Sequence, residues 1–125
     1  MRKYFISLHN SFRAAARGFL QAFASERTFQ VMIAAALFLF ILMSVLPLRE
    51  NERLVLLLVM GMVLVLELMN TMVERLIDLL KPRLSSYVRE VKDLMAAAVL
   101  VGSFFALLIG GMIFLPYIAT LASQL

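Results

Sequence analysis

Leu54-Val-Leu-Leu-Leu-Val-Met-Gly-Met-Val-Leu-Val-Leu66 runs straight into Glu67-Leu-Met-Asn-Thr-Met-Val-Glu74-Arg-Leu-Ile-Asp78, and the two pieces together decide the fold. The first holds thirteen residues without a polar side chain. If this segment spans a bilayer, a charge near its middle costs about 2.5–3.5 kcal/mol or more. On a helix, Glu67, Asn70, Thr71, Glu74 and Asp78 fall within one arc of roughly 100°. Leu68, Met69, Met72, Val73, Leu76 and Leu79 take the rest of the circumference. The polar groups thus form a stripe running from membrane depth toward one helix end. Such a seam either fixes register between helices or carries chemistry, and ionisable residues inside a membrane default to function.

The rest of the composition agrees with a membrane setting. The 125 residues make one domain, and at 63% hydrophobic with a mean hydropathy of +0.96 they cannot coat a small soluble body. Val31–Leu46 has only Ser44 as a polar residue, and Leu94–Leu115 is 22 residues without a charge. With their flanks, these and the stretch from Leu54 reach the roughly 20 residues needed to cross a bilayer. The expectation is an all-α membrane protein, a single domain over 1–125 with spans at about 28–46, 54–80 and 92–117. No strand-like alternation supports a barrel. Without cysteine there is no disulfide or thiolate chemistry. Met1–Arg27 carries five basic residues and no cleavable apolar core, so no signal peptide is expected.

Basic residues sort by side. Ten lie before the first span or around the loop between the second and third; two, Arg49 and Arg53, lie in the other loop. The positive-inside rule places the N-terminus in the cytoplasm and the C-terminus outside. Because these residues flank spans, they are a topology signal and no nucleic-acid surface is expected. Residues 2–24 read as an amphipathic surface helix, with Phe5, Leu8, Phe12, Ala16, Phe19 and Phe23 on one face and Lys3, Arg13 and Arg17 on the other. That pattern suits anionic headgroups. His9, between the faces, is given no role. Glu26 opens the first span, where an acidic residue also complements the helix dipole. Pro47–Arg53 reads as a solvated outer turn, and Lys81–Glu90 as a cytoplasmic loop in which Pro82 stops the preceding helix. Ala98, Gly102, Ala106 and Gly110 recur every four residues and suit close helix packing, while Pro116 and Tyr117 finish the third span. So thin a bundle must still hide Glu67 and Asn70 from lipid, which association into an oligomer would help.

Glu26, Glu74, Asp78, Lys92 and Asp93 are expected at the cytoplasmic surface, with Glu67 deeper on the same stripe. Carboxylates near a cation suit Mg²⁺ with a phosphate ligand. Glu67 and Glu74 are separated by roughly 10 Å along a helix. A path from carboxylate through metal, phosphorus and attacking hydroxyl to a base is about 11 Å. One helix thus permits a metal ligand at the surface and a base two turns deeper. No Walker A sequence, kinase-type Gly-rich loop, His-Glu-x-x-His or serine elbow occurs.

Glu67-Leu-Met-Asn70-Thr71-Met-Val-Glu74 and Lys92-Asp93-Leu-Met-Ala-Ala-Ala-Val-Leu, at this separation, resemble the small bacterial membrane lipid kinases of the prokaryotic diacylglycerol kinase and undecaprenol kinase family. The resemblance covers about Arg17 to Leu115. It implies a homotrimer of three-span protomers in the bacterial inner membrane, each with a surface helix, and sites shared between neighbours. It implies ATP as co-substrate, Mg²⁺, and a membrane lipid alcohol as acceptor. By the same resemblance, Glu67 is the catalytic base and Asn70 the polar residue beside it. Glu26 and Glu74 are metal ligands within the nucleotide site, and Lys92 and Asp93 are nucleotide-binding. Two departures stand out: Gln30 replaces a frequent Arg, and Arg83–Tyr87 lacks the family's acidic-aromatic-His pattern, so no contact is assigned there.

Two other classes compete. A small oligomeric transporter or channel would use Glu67 for proton or cation coupling. It leaves Glu26, Lys92 and Asp93 without a task. A structural membrane peptide would use the stripe for packing alone.

Overall fold

The computed structural model describes residues 2–80 and 85–123. They form four helices: α1 (Arg2–Ser25), α2 (Arg27–Val45), α3 (Glu50–Leu80) and α4 (Ser85–Ala122). Three of them, α2, α3 and α4, are long and apolar enough to cross a membrane. The expected all-α architecture is therefore found, with three helices of the length and hydropathy that the expected spans need.

α1 and α2 are separated by one residue. Glu26 has extended backbone, φ −110° and ψ 110°, and stands at the N-cap of α2. The chain folds back there around Phe29, which is fully buried and meets Phe19 of α1 edge-to-face at 5.3 Å. Gln30 ties the same corner by donating to the carbonyl of Phe23 at 2.9 Å. In α2, the hydroxyl of Ser44 donates to the carbonyl of Phe40 at 2.8 Å, so this polar residue is satisfied inside its own helix.

α2 stops before Pro47, whose ring disfavours helical backbone in the residue ahead of it. The expected solvated turn at 47–53 is shorter and better tied than its charges suggest. α3 already begins at Glu50, with Glu50 and Glu52 in its first turn. Glu52 accepts from the backbone N–H of Arg49 at 2.8 Å, as a carboxylate at the third helical position can. It also accepts from the Tyr117 hydroxyl at 2.6 Å, which joins the start of α3 to the end of α4. Beneath this lies the small core of Met43, Leu48 and Leu56, with Ile113 and Phe114 against it.

α4 is longer than expected at both ends. Ser85–Glu90, read as loop, is helical, and residues 81–84, with Pro82, lie outside the described residues. Pro116 does not end the helix but sits within it. A proline there removes one hydrogen bond, which a membrane helix tolerates where neighbours compensate. α3 packs chiefly on α4. Their close approach is at Gly102, where a Cβ would come within 2.5 Å of Leu66 Cδ1. The other glycine of that small-residue series, Gly110, faces open space.

Candidate functional site

The deeper part of the stripe on α3 turns inward, while Asp78 at its end is exposed. Glu67 is 2% exposed and Thr71 5%, whereas Met69, Met72, Leu76 and Leu79 on the opposite arc are exposed. An apolar helix in oil has this inside-out logic: hydrocarbon side chains face lipid and polar ones face protein. Among the described residues, the Glu67 carboxylate makes no hydrogen bond or ion pair. The charges that bear on it are those of Glu74 and Glu26. Glu74 follows on the same face of α3. Glu26 is brought from a different element, the α1–α2 corner.

Glu26 does not cap the helix it precedes, since its side chain makes no capping hydrogen bond. At that position its charge still complements the helix dipole. Its carboxylate also reaches α3, 3.7 Å from Arg75 Nη2. Arg75 also donates to Ser25 Oγ at 2.6 Å, and Ser25 lies 3.3 Å from Glu26 Oε1. On the other side, Glu74 is 3.6 Å from Lys92 Nζ of α4. The end of α3 is thus flanked by the α1–α2 corner through Arg75 and by α4 through Glu74.

Four of the six expected site residues, Glu26, Glu67, Glu74 and Lys92, are therefore gathered in one neighbourhood. Asn70 is half-buried one turn from Glu67 and makes no hydrogen bond among the described residues. Asp93 is not brought in: it lines a shallow groove on α4 with Arg89 and Glu90. Among the described residues no three His, Cys, Asp or Glu side chains converge as a complete metal cage. Glu26 and Glu74 are carboxylates of the hard-oxygen type that could serve Mg²⁺ with phosphate, and each is paired with a cation in the structure.

Arg75, read only as a basic residue near the end of a span, was the participant that sequence reasoning missed. Its signal was its position at the edge of the polar arc, beside Glu74. Ser25 carried no signal at all, because its role depends on where α3 passes.

Comparison with known proteins shows the family to which the chain belongs. The sequence profile of the family described as Prokaryotic diacylglycerol kinase matches residues 13–114. An undecaprenol kinase of Bacillus subtilis (strain 168) is 35% identical over 106 residues, covering 85% of this chain and 86% of the relative. A diacylglycerol kinase of Synechocystis sp. (strain ATCC 27184 / PCC 6803 / Kazusa) is 33% identical over 112 residues, covering 89% of this chain and 64% of that longer relative. With a profile that spans most of the chain and relatives at this identity, the chain belongs to the prokaryotic diacylglycerol kinase family.

Proposed function

We propose that this chain, as a single catalytic domain, transfers the γ-phosphoryl group of ATP to the hydroxyl of a membrane lipid alcohol, diacylglycerol or undecaprenol. The reaction would take place at the cytoplasmic face of a bacterial inner membrane. The carrying observation is Glu67: a carboxylate 2% exposed on an apolar helix, with Glu74 two turns on and Glu26 delivered from another element.

α3 has 31 residues, so it is about 46 Å long against a hydrocarbon core of about 30 Å. Measured from Glu50, Glu67 comes at about 26 Å and Glu74 at about 36 Å. With the basic-rich side in the cytoplasm and the oil beginning near Glu50, Glu67 would lie just inside the oil and Glu74 in the headgroup layer. A lipid hydroxyl reaches the first level from the bilayer, and a nucleotide reaches the second from water. α1, with its basic and aromatic faces, would lie along the same surface.

In this reading Glu67 takes the hydroxyl proton as the new O–P bond forms, and Asn70 orients the hydroxyl or the carboxylate. Glu26 and Glu74 would hold Mg²⁺, which when bound neutralises charge on the transferring phosphoryl group. Lys92 faces phosphate. Asp93 contacts the nucleotide from a neighbouring copy, and two observations favour such an assembly. Asp93 is exposed on α4 in a groove with Arg89 and Glu90, and large apolar side chains of α4 such as Leu100, Phe104, Leu107 and Met112 are exposed in the lone protomer. A homotrimer would cover that face.

The test is phosphate transfer from radiolabelled ATP in mixed micelles, with diacylglycerol and a polyprenol side by side. Wild type is expected to label one or both in a Mg²⁺-dependent way, and Glu67→Gln to lose about 10²–10⁴-fold. Failure to label any lipid in a broad panel would overturn the kinase reading in favour of ion or proton coupling at Glu67. Full activity in the variant would remove Glu67 as the base.

A further inference from the structure

Two ion pairs stand side by side at the end of α3. Glu74 pairs with Lys92, and the next residue, Arg75, lies 3.7 Å from Glu26. Successive helix residues point about 100° apart, so the pairs open onto the same end of the helix from different sides. Each joins α3 to a different element.

Neither pair is tight. At 3.7 and 3.6 Å both are beyond good hydrogen-bond length. All four side chains keep substantial exposure, from 31% at Glu26 to 57% at Lys92. Exposed pairs of this kind add little to stability and are readily exchanged. The firm contact of Arg75 is elsewhere, at 2.6 Å to the neutral hydroxyl of Ser25. A guanidinium anchored through one N–H to a hydroxyl keeps its charge and its remaining donors, and that planar fork suits phosphate oxygens.

A metal-nucleotide presents the same two charges in reverse, a cation and a row of phosphates. Resting on the kinase reading above, we propose that the two pairs exchange partners when it binds. The carboxylates of Glu26 and Glu74 turn to the metal, and Arg75 joins Lys92 on the phosphates while still held by Ser25. Arg75 is then a second nucleotide-binding cation. Before the nucleotide arrives it neutralises Glu26 and disfavours capture of a bare metal ion.

The two roles have opposite signs, which makes them separable from a structural one. Full-length protein in detergent would be titrated with Mn²⁺ alone, followed by its spectroscopic signal. Separately it would be titrated with Mg²⁺ and a non-hydrolysable ATP analogue, without lipid. Arg75→Gln is expected to bind the analogue about tenfold more weakly, as loss of a charged hydrogen bond implies. It should bind Mn²⁺ alone as tightly as wild type or more so. Arg75→Lys, which keeps the charge without the fork, should recover part of the analogue affinity. Unchanged analogue binding would overturn the proposal, and so would equal weakening of both titrations, since that marks a structural role. Should Arg75→Gln not fold, Ser25→Ala removes the anchor, together with the hydroxyl's own donations to the Gln21 carbonyl and Glu26. It should weaken the analogue a few-fold without weakening Mn²⁺, and unchanged analogue affinity there overturns the proposal equally. Wild-type lipid labelling is read independently, so these outcomes leave the kinase reading to its own test.

Discussion

Glu26 shows how much one side chain depends on what packs beside it. In sequence it stands at a helix start, where a carboxylate has a ready partner in the helix dipole. In the fold its side chain leaves that helix and reaches Arg75. Glu67 and Glu74 were legible in advance because helical periodicity alone puts them on one face of α3, and burial of Glu67 follows from that face turning inward. The pairing of Glu74 with Lys92 was legible only as a shared level in the membrane; the 3.6 Å contact needs the packing of α3 on α4. If Glu74 is a metal ligand, Glu74→Gln should raise the Mg²⁺ concentration for half-maximal activity by about tenfold or more, with a smaller change in lipid affinity. A Mg²⁺ titration of lipid phosphorylation checks this, and an unchanged requirement removes the ligand role.

At the scale of elements, the three apolar helices followed from length and hydropathy, but their ends did not. α3 begins inside a charged turn because Glu52 satisfies the N–H of Arg49 and the hydroxyl of Tyr117. Tyr117 lies 65 residues away, beyond any local pattern. α4 passes through Pro116, where local rules favour a stop, since a long helix beside α3 outweighs one missing backbone bond. The small-residue series on α4 was readable as a packing device, yet of its two glycines Gly102 is pressed against α3 and Gly110 is not. Gly102→Ala meets only the mobile tip of Leu66, so rotation of that side chain can absorb it. Gly102→Leu cannot be absorbed so and should cost about 1–3 kcal/mol through overpacking. It should also reduce activity, because Leu66 adjoins Glu67. Thermal unfolding in detergent of both variants tests this; equal stability of wild type and Gly102→Leu would show that α3 and α4 do not meet at this point.

The whole molecule is a thin bundle with most of its large apolar side chains on the outside. That surface requires lipid or further copies of the chain, and the distribution of basic residues predicts which end meets the cytoplasm. Reporter fusions should place residue 1 in the cytoplasm and residue 125 outside, and the reverse result would put Glu26, Glu74 and Lys92 on the wrong side for ATP. The claim on which everything turns is that Glu67 accepts a proton at the boundary between oil and nucleotide. Its most direct measurement is the steady-state rate of lipid phosphorylation by Glu67→Gln beside its equilibrium affinity for Mg²⁺ and a non-hydrolysable ATP analogue. The expected result is a kcat lowered at least about 100-fold with nucleotide affinity within about threefold of wild type. A kcat near that of wild type, or a loss of rate matched by a loss of nucleotide binding, would contradict it.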